Sequence, residues 1–360
     1  MITPDASQFA SWAENPNGPV ALVLRQRLLP VEGPNGVIFP PTYKTKRAIP
    51  YNIDELADGT RVALVDSVAS QANRIEPLFK DPPLEALVPQ ITISVTTDPV
   101  AKEVSIFDVG HRVADALVRS TELRSDVEEA FAALARNDAG PMARLAPTSL
   151  VFGVWDSRGQ GVKMPRIVNA VIRAWDVEPL TRSAQYVPPI DYAALGVFSE
   201  KDVEKAEGDP KNPLAKAGFV HVPSVDQHGG IVVRGDIIRE VVISLVGVRR
   251  LAGASEKETA QIRRYILGLA LAAATADFDP FLRQGCTLVP DPDQPANWQL
   301  VNRDGRRETI DLGHDRALVW AREQAEAMCL PPPRNVTFDA ELAKKVVEEA
   351  KKQKAKKQEE

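Results

Sequence analysis

The sequence is poor in the residues that build covalent and metal-based chemistry. It has two cysteines and four histidines among 360 residues. Cys286 and Cys329 stand far apart, without a CxxC spacing, so neither a zinc ribbon nor a redox pair is offered. Both read as buried thiols of a reducing compartment. His111, His221, His228 and His314 are scattered, with no HxH or HxxxH spacing for a metal. No GxSxG elbow marks a nucleophilic serine, and no glycine-rich loop of the mononucleotide-binding kind is present. Positive charge is not in excess either. A formal net charge of −5 weighs against a protein that coats nucleic acid non-specifically. It leaves a local basic groove open, because binding follows the distribution of charge more than its sum. Long apolar runs are missing: the longest, Ile266 to Ala274, is too short to span a bilayer. The start, MITPDASQFASW, has neither the basic nor the apolar region of a signal peptide, so a cytoplasmic, membrane-free protein is expected.

What is present is a globular composition, 44% hydrophobic and 26% charged, long enough to bury a substantial core. Charge is segregated. Glu103, Asp108, Asp115, Glu122, Asp126, Glu128 and Glu129 make an acidic stretch, while Arg173, Arg182, Arg234, Arg239, Arg249 and Arg250 fall in basic ones. One basic face and one acidic face are expected.

Val20–Val31 reads as a first strand. A Pro-rich basic loop spans 32–60, where proline at this density forbids helix. Val62–Val65 is a short strand. Val109–Arg136 has helical spacing, in one broken helix or two. Ser149–Trp155 reads as a strand, Asp156–Pro165 as a hairpin loop, and Arg166–Val177 as a further strand. The region 179–224 is loop-rich and resembles an insertion. Ile231–Val248 reads as one long strand or a strand pair, Glu256–Asp277 as a buried helix, Cys286–Pro290 and Trp298–Asn302 as short strands, and Asp315–Leu330 as an amphipathic helix. A single unit over 1–335 is expected, followed by a Lys/Glu-rich tail over 336–360. The order strand, helix, strand, strand, helix, strand matches an α+β, ferredoxin-like β-α-β-β-α-β core, the RRM topology, with large insertions. Such a sheet offers an open face on which RNA can lie.

The most informative stretch is Asp66-Ser-Val-Ala-Ser-Gln-Ala-Asn-Arg-Ile-Glu76. It follows a strand and opens a helix that Ser67 or Ser70 can cap, with Ala72, Ile75, Leu78 and Phe79 as the buried face. Ser70, Gln71, Asn73 and Arg74 crowd the first turns. A helix N-terminus suits an anion, and these side chains add donors and a planar fork that fits phosphate. Asn73 is the one of the four that reads most readily as structural.

Four blocks together resemble the backbone subunit of type I-U (also called I-G) CRISPR effector complexes, a branch of the RAMP superfamily. They are Phe39-Pro-Pro-Thr-Tyr43, the Asp66–Glu76 run, Ser149-Leu-Val-Phe-Gly-Val-Trp-Asp-Ser157, and Arg249-Arg-Leu251 with Arg263-Arg-Tyr-Ile-Leu-Gly-Leu269. The second is distinctive. The resemblance implies an RRM-like palm with finger and thumb insertions, and 179–224 is a candidate thumb or interface element. It implies copies of the chain lined head to tail along one CRISPR RNA, beside other Cascade subunits. Target DNA is then reached by pairing with the guide. Relatives carry a Ser-Ser-Gln-like turn that contacts the guide backbone, and Ser70-Gln71 with Asn73 and Arg74 is its counterpart here. A subunit that accepts any guide should grip phosphates and 2′-hydroxyls and leave base edges free.

Further RNA-binding candidates are Lys44, Lys46 and Arg47 on the loop with Tyr43, Arg158, Lys163 and Arg166 around the Gly-containing hairpin, and Arg112, which could reach a phosphate. Trp155 reads as a core residue more readily than as a stacking platform. Asp66, Asp108, Asp156 and Asp236 have no close carboxylate spacing, so no metal, no other cofactor and no catalytic residue is assigned, and a binding protein rather than an enzyme is expected. Two alternatives stay open: a metal-dependent RAMP endoribonuclease and an RNA-independent oligomeric scaffold.

Overall fold

A computed structural model describes residues 1–44, 50–97, 100–157, 161–345 and 347–348. Helix α1 (Ala6–Glu14), closed by an Asp5–Gln8 capping box, leads into β1 (Ala21–Pro30). A hairpin of β2 (Ile53–Glu55) and β3 (Arg61–Asp66) runs directly into α2 (Val68–Ile75). A second hairpin, β4 (Ile91–Thr97) with β5 (Val100–Ser105), precedes a helical layer: α3 (Ala116–Arg119), α4 (Arg124–Ala135), α5 (Gly140–Leu145) and α6 (Thr148–Phe152). The short hairpin β6 (Val154–Trp155) and β7 (Lys163–Met164) opens into β8 (Val168–Trp175). From there β9 (Val177–Tyr186) leaves as an arm, carries α7 (Glu200–Ala206) and α8 (Pro213–Lys216), and returns as β10 (Val222–Val233). The chain then forms β11 (Ile237–Ser244), α9 (Leu245–Arg249), α10 (Glu256–Thr275), β12 (Phe281–Arg283), β13 (Cys286–Pro290), β14 (Trp298–Val301), β15 (Arg307–Ile310), α11 (His314–Met328) and β16 (Arg334–Thr337).

The fold is α+β. Its main sheet runs in the order β12-β13-β1-β11-β8-β3-β2, with β14 also on β1 and β15 on β14. All these pairings are antiparallel. Four of the strands, β1, β8, β11 and β13 in chain order, stand side by side as β13-β1-β11-β8. Beyond them β3 and β2 widen the sheet, and the arm is inserted between the adjacent strands β8 and β11.

The period-2 alternation of each strand separates the two faces. On one face Leu22, Leu24, Val168, Ala170, Val241 and Ile243 pack into a core shared with α1, α2, α10 and α11. Further along the same rows, Leu28, Ile172, Ala174 and Ile237 join a second cluster with Ile38, Tyr51 and Leu288. The cross-strand pair Gln26 and Arg239 lies between the two clusters. The opposite face exposes Arg25, Glu240 and Arg173.

Several segments depart from the sequence reading. Of Ser149–Trp155 only Val154–Trp155 is strand: Thr148–Phe152 is a helical turn, all of it buried, ended by Gly153 at φ 80°. An apolar run buried on every side carries no period that separates strand from helix. Likewise Leu245–Val248 turns helical because Ser244 Oγ accepts from Gly247 N at 3.0 Å. Leu78 faces out, 36% exposed. After Ile75 the helix tightens into a 3₁₀ turn at Glu76–Lys80, which turns Glu76 and Phe79 inward. The region 179–224 is an insertion rich in irregular chain, as expected, but a two-stranded ribbon holds both its ends. Pro179 and Pro223 fit there because each strand of a two-stranded ribbon has a free edge. The body also runs past residue 335: β16 pairs in parallel with β4 and buries Val336. Cys286 is buried but Cys329, a left-handed helix cap, is exposed. Arg239 is buried and Arg249 donates to the Trp12 and Pro19 carbonyls, so neither joins a basic face.

Candidate nucleic-acid interface

The β3–α2 junction is built around a carboxylate. Asp66, the last residue of β3, is fully buried, and Ser67 caps α2 by accepting from Ser70 N at 3.1 Å. Facing Asp66 are the side chains four, five and eight residues on. Ser70 Oγ donates to Oδ1 at 2.8 Å, Gln71 Nε2 to Oδ2 at 2.7 Å and Arg74 Nε to Oδ2 at 3.1 Å. A fourth donor, Arg283 Nη2 from β12, reaches Oδ1 at 2.9 Å. Arg74 also donates to the Leu282 carbonyl, and Arg283 to that of Val65. The anion at this helix start is therefore the chain's own. Ser70, Gln71 and Arg74, expected to grip a phosphate, converge on Asp66, and Gln71 is buried. Of the four, Asn73 is the exposed one, the reverse of its expected role. The sequence reading missed Arg283 and the part played by Asp66. Its signal was present: an acid just before a cap, with donors at helical offsets from it.

Arg112 is likewise internal, which corrects the expectation that it reaches a phosphate. It is 5% exposed, at φ 54°. Its Nε lies 2.7 Å from Glu76 Oε2, Nη1 donates to the Gly153 carbonyl at 3.2 Å, and the guanidinium stands 5.6 Å from the Phe152 ring centre. Arg166 is half-buried beside it, with a buried Nε that has no hydrogen-bond partner among the described residues. Burial pushes the Glu76 carboxyl up to about 7, against the pull of the Arg112 charge. An acid whose folded pKa lies above its unfolded one stabilises the fold most below the unfolded pKa. That contribution is lost as pH rises through the folded value. Glu76→Gln, which cannot ionise, is expected to remove a decline in unfolding free energy of about 3 kcal/mol between roughly pH 4.5 and pH 7. Denaturant unfolding of both proteins across that range checks it, and parallel curves would contradict it.

The surface candidates gather elsewhere. On the β6–β7 hairpin Trp155 is 60% exposed, not part of the core, and Lys163 Nζ stands 5.8 Å from its ring centre. Lys163 is exposed as well. Gly153 sets the angle at which this hairpin leaves, since a Cβ there would meet the Arg166 side chain at 2.9 Å. Lys44 and Tyr43 are exposed on the Pro-rich loop. On the open sheet face Arg25 and Arg173 flank Glu240 at 3.6 and 3.5 Å, which leaves that row with net positive charge. Lys46, Arg47 and Arg158 lie outside the described residues. Among the described residues no three His, Cys, Asp or Glu side chains gather to hold a metal, and no helix is long and apolar enough to cross a membrane.

Residues 22–179 match the model of a family described as CRISPR-associated protein GSU0053. The matched stretch runs from β1 through the Asp66 junction and the β6–β7 hairpin to the start of the arm. The matched family is CRISPR-associated by its description, and the match covers less than half of the chain. No curated protein matches the chain.

Proposed function

We propose that this chain is a CRISPR RNA-binding backbone subunit of a type I-U/I-G Cascade complex, repeated along the guide, and that it binds without catalysing. The observation that carries this reading is the exposed Trp155 with the Lys163 ammonium over its ring, on a hairpin beside the sheet. An aromatic face that any base can stack on, next to a cation for the backbone, is how single strands are held without regard to sequence. Arg25 and Arg173 on the open sheet face and the exposed Lys44 supply further polar contacts of the same kind. The Asp66 junction has a different part here from the one its residue types suggest: it fixes α2 and β12 behind the binding face. The CRISPR-associated match supports the choice of RNA over other single strands.

Titration of unrelated single-stranded RNAs into the protein at several salt concentrations tests this. Similar affinities for all sequences, falling linearly on a log–log salt plot, are expected. A marked preference for one sequence, cleavage of the RNA in magnesium, or no binding would contradict the reading.

A further inference from the structure

Arg239 is a buried cation without a carboxylate. It is 4% exposed, on the helix-covered face of β11, in the row that separates the two core clusters. Among the described residues no acid lies within ion-pair distance of it. Nη1 donates to Gln26 Oε1 at 3.3 Å, the guanidinium stands 4.9 Å from the Phe278 ring centre, and Nε is buried with no partner among the described residues. Burial alone holds its pKa down to about 10. A buried charge left unpaired is costly, and a facing ring or a neutral amide offsets only part of that.

The guanidinium lines a small cavity of about 30 Å³, which Gln71, Arg74, Ala273 and Phe278 also line. That is room for one compact group. Arg74 brings a second guanidinium, held by Asp66. Asp277 and Asp279 stand exposed at the rim, and Asp279 accepts from Phe281 N. The pocket is thus cationic in its depth, with a planar fork that matches a tetrahedral oxyanion.

We propose that the Arg239 pocket is a binding site for a single phosphate group. The site stands apart from the Trp155 hairpin and does not depend on the guide-binding reading. Two sources have the same chemistry, a free phosphate and a phosphate of a nucleic-acid backbone, and experiment separates them.

Inorganic phosphate is titrated into the full-length protein at constant ionic strength while Tm is followed. Wild type should show a saturable rise, since a ligand bound only by the native state stabilises it. Arg239→Met, which replaces the unpaired charge with an apolar side chain of similar length, should fold with an undiminished Tm in phosphate-free buffer and show no rise. Arg239→Lys keeps the charge without the fork and should need about tenfold more phosphate. No response in wild type, or equal responses in wild type and Arg239→Met, would overturn the site. The same proteins are then titrated with single-stranded RNA. A parallel loss of RNA affinity in Arg239→Met identifies a backbone phosphate as the occupant. Unchanged RNA affinity identifies a free phosphate and leaves the pocket assignment in place. Failure of wild type to bind RNA, with its phosphate response intact, would count against the guide reading alone.

Discussion

Asp66→Ala is expected to lower the unfolding free energy by about 3–5 kcal/mol, because it leaves two partly buried guanidiniums and a buried amide without their acceptor. Asp66 is fully buried and receives Ser70, Gln71, Arg74 and Arg283. These partners come from α2 and β12, more than two hundred residues apart in sequence, so their loss unties one end of the sheet from the helix beside it. Asp66→Asn keeps the shape but turns one acceptor into a donor that faces other donors, and should be nearly as harmful. Arg74→Ala should also reduce stability. Its guanidinium is bound to Asp66 and to the Leu282 carbonyl. Equilibrium unfolding in denaturant reads all three. A loss under about 1 kcal/mol for Asp66→Ala would mean that the junction is loose and its donors are free for another anion.

Trp155→Ala is expected to do the reverse. With the ring 60% exposed, truncation should leave Tm close to that of wild type. RNA affinity should fall by about 1–3 kcal/mol, roughly 5- to 150-fold, if one base stacks on the ring. The loss should be similar for every RNA sequence. Lys163→Ala should weaken binding less and reduce the salt slope by about one unit, the signature of a lost phosphate contact. Fluorescence anisotropy with a labelled RNA measures both variants. An unchanged affinity in Trp155→Ala would take the hairpin out of the interface.

Much of the framework was legible in the sequence because it rests on local periodicity. β1 follows from alternation, β8 from its β-branched residues, α10 and α11 from helical apolar spacing, and the β6–β7 turn from its glycines. What escaped depends on neighbours remote in the chain. Thr148–Phe152 is helical and buried on all sides, so its sequence carries no period that tells helix from strand. Ser70, Gln71 and Arg74 have the residue types of a phosphate grip, yet the position of Asp66 at the end of β3 and of Arg283 on β12 directs them inward. The charge of Arg112 suggests the surface, whereas its contacts with Glu76, the Gly153 carbonyl and Phe152 hold it inside. Trp155 was assigned to the core by hydrophobicity, whereas a two-residue strand in a projecting hairpin has little core to enter. Arg239 and Arg249, counted toward a basic face by their charge, serve the interior.

The central claim is that the chain grips guide RNA. Purification of the protein from cells that carry a matching CRISPR array, followed by extraction and sequencing of the bound nucleic acid, tests it most directly. RNA of uniform length with the array's repeat, in a ladder of oligomers that collapses on ribonuclease treatment, is the predicted result. Protein free of RNA, with an oligomeric state that ribonuclease does not change, would contradict it.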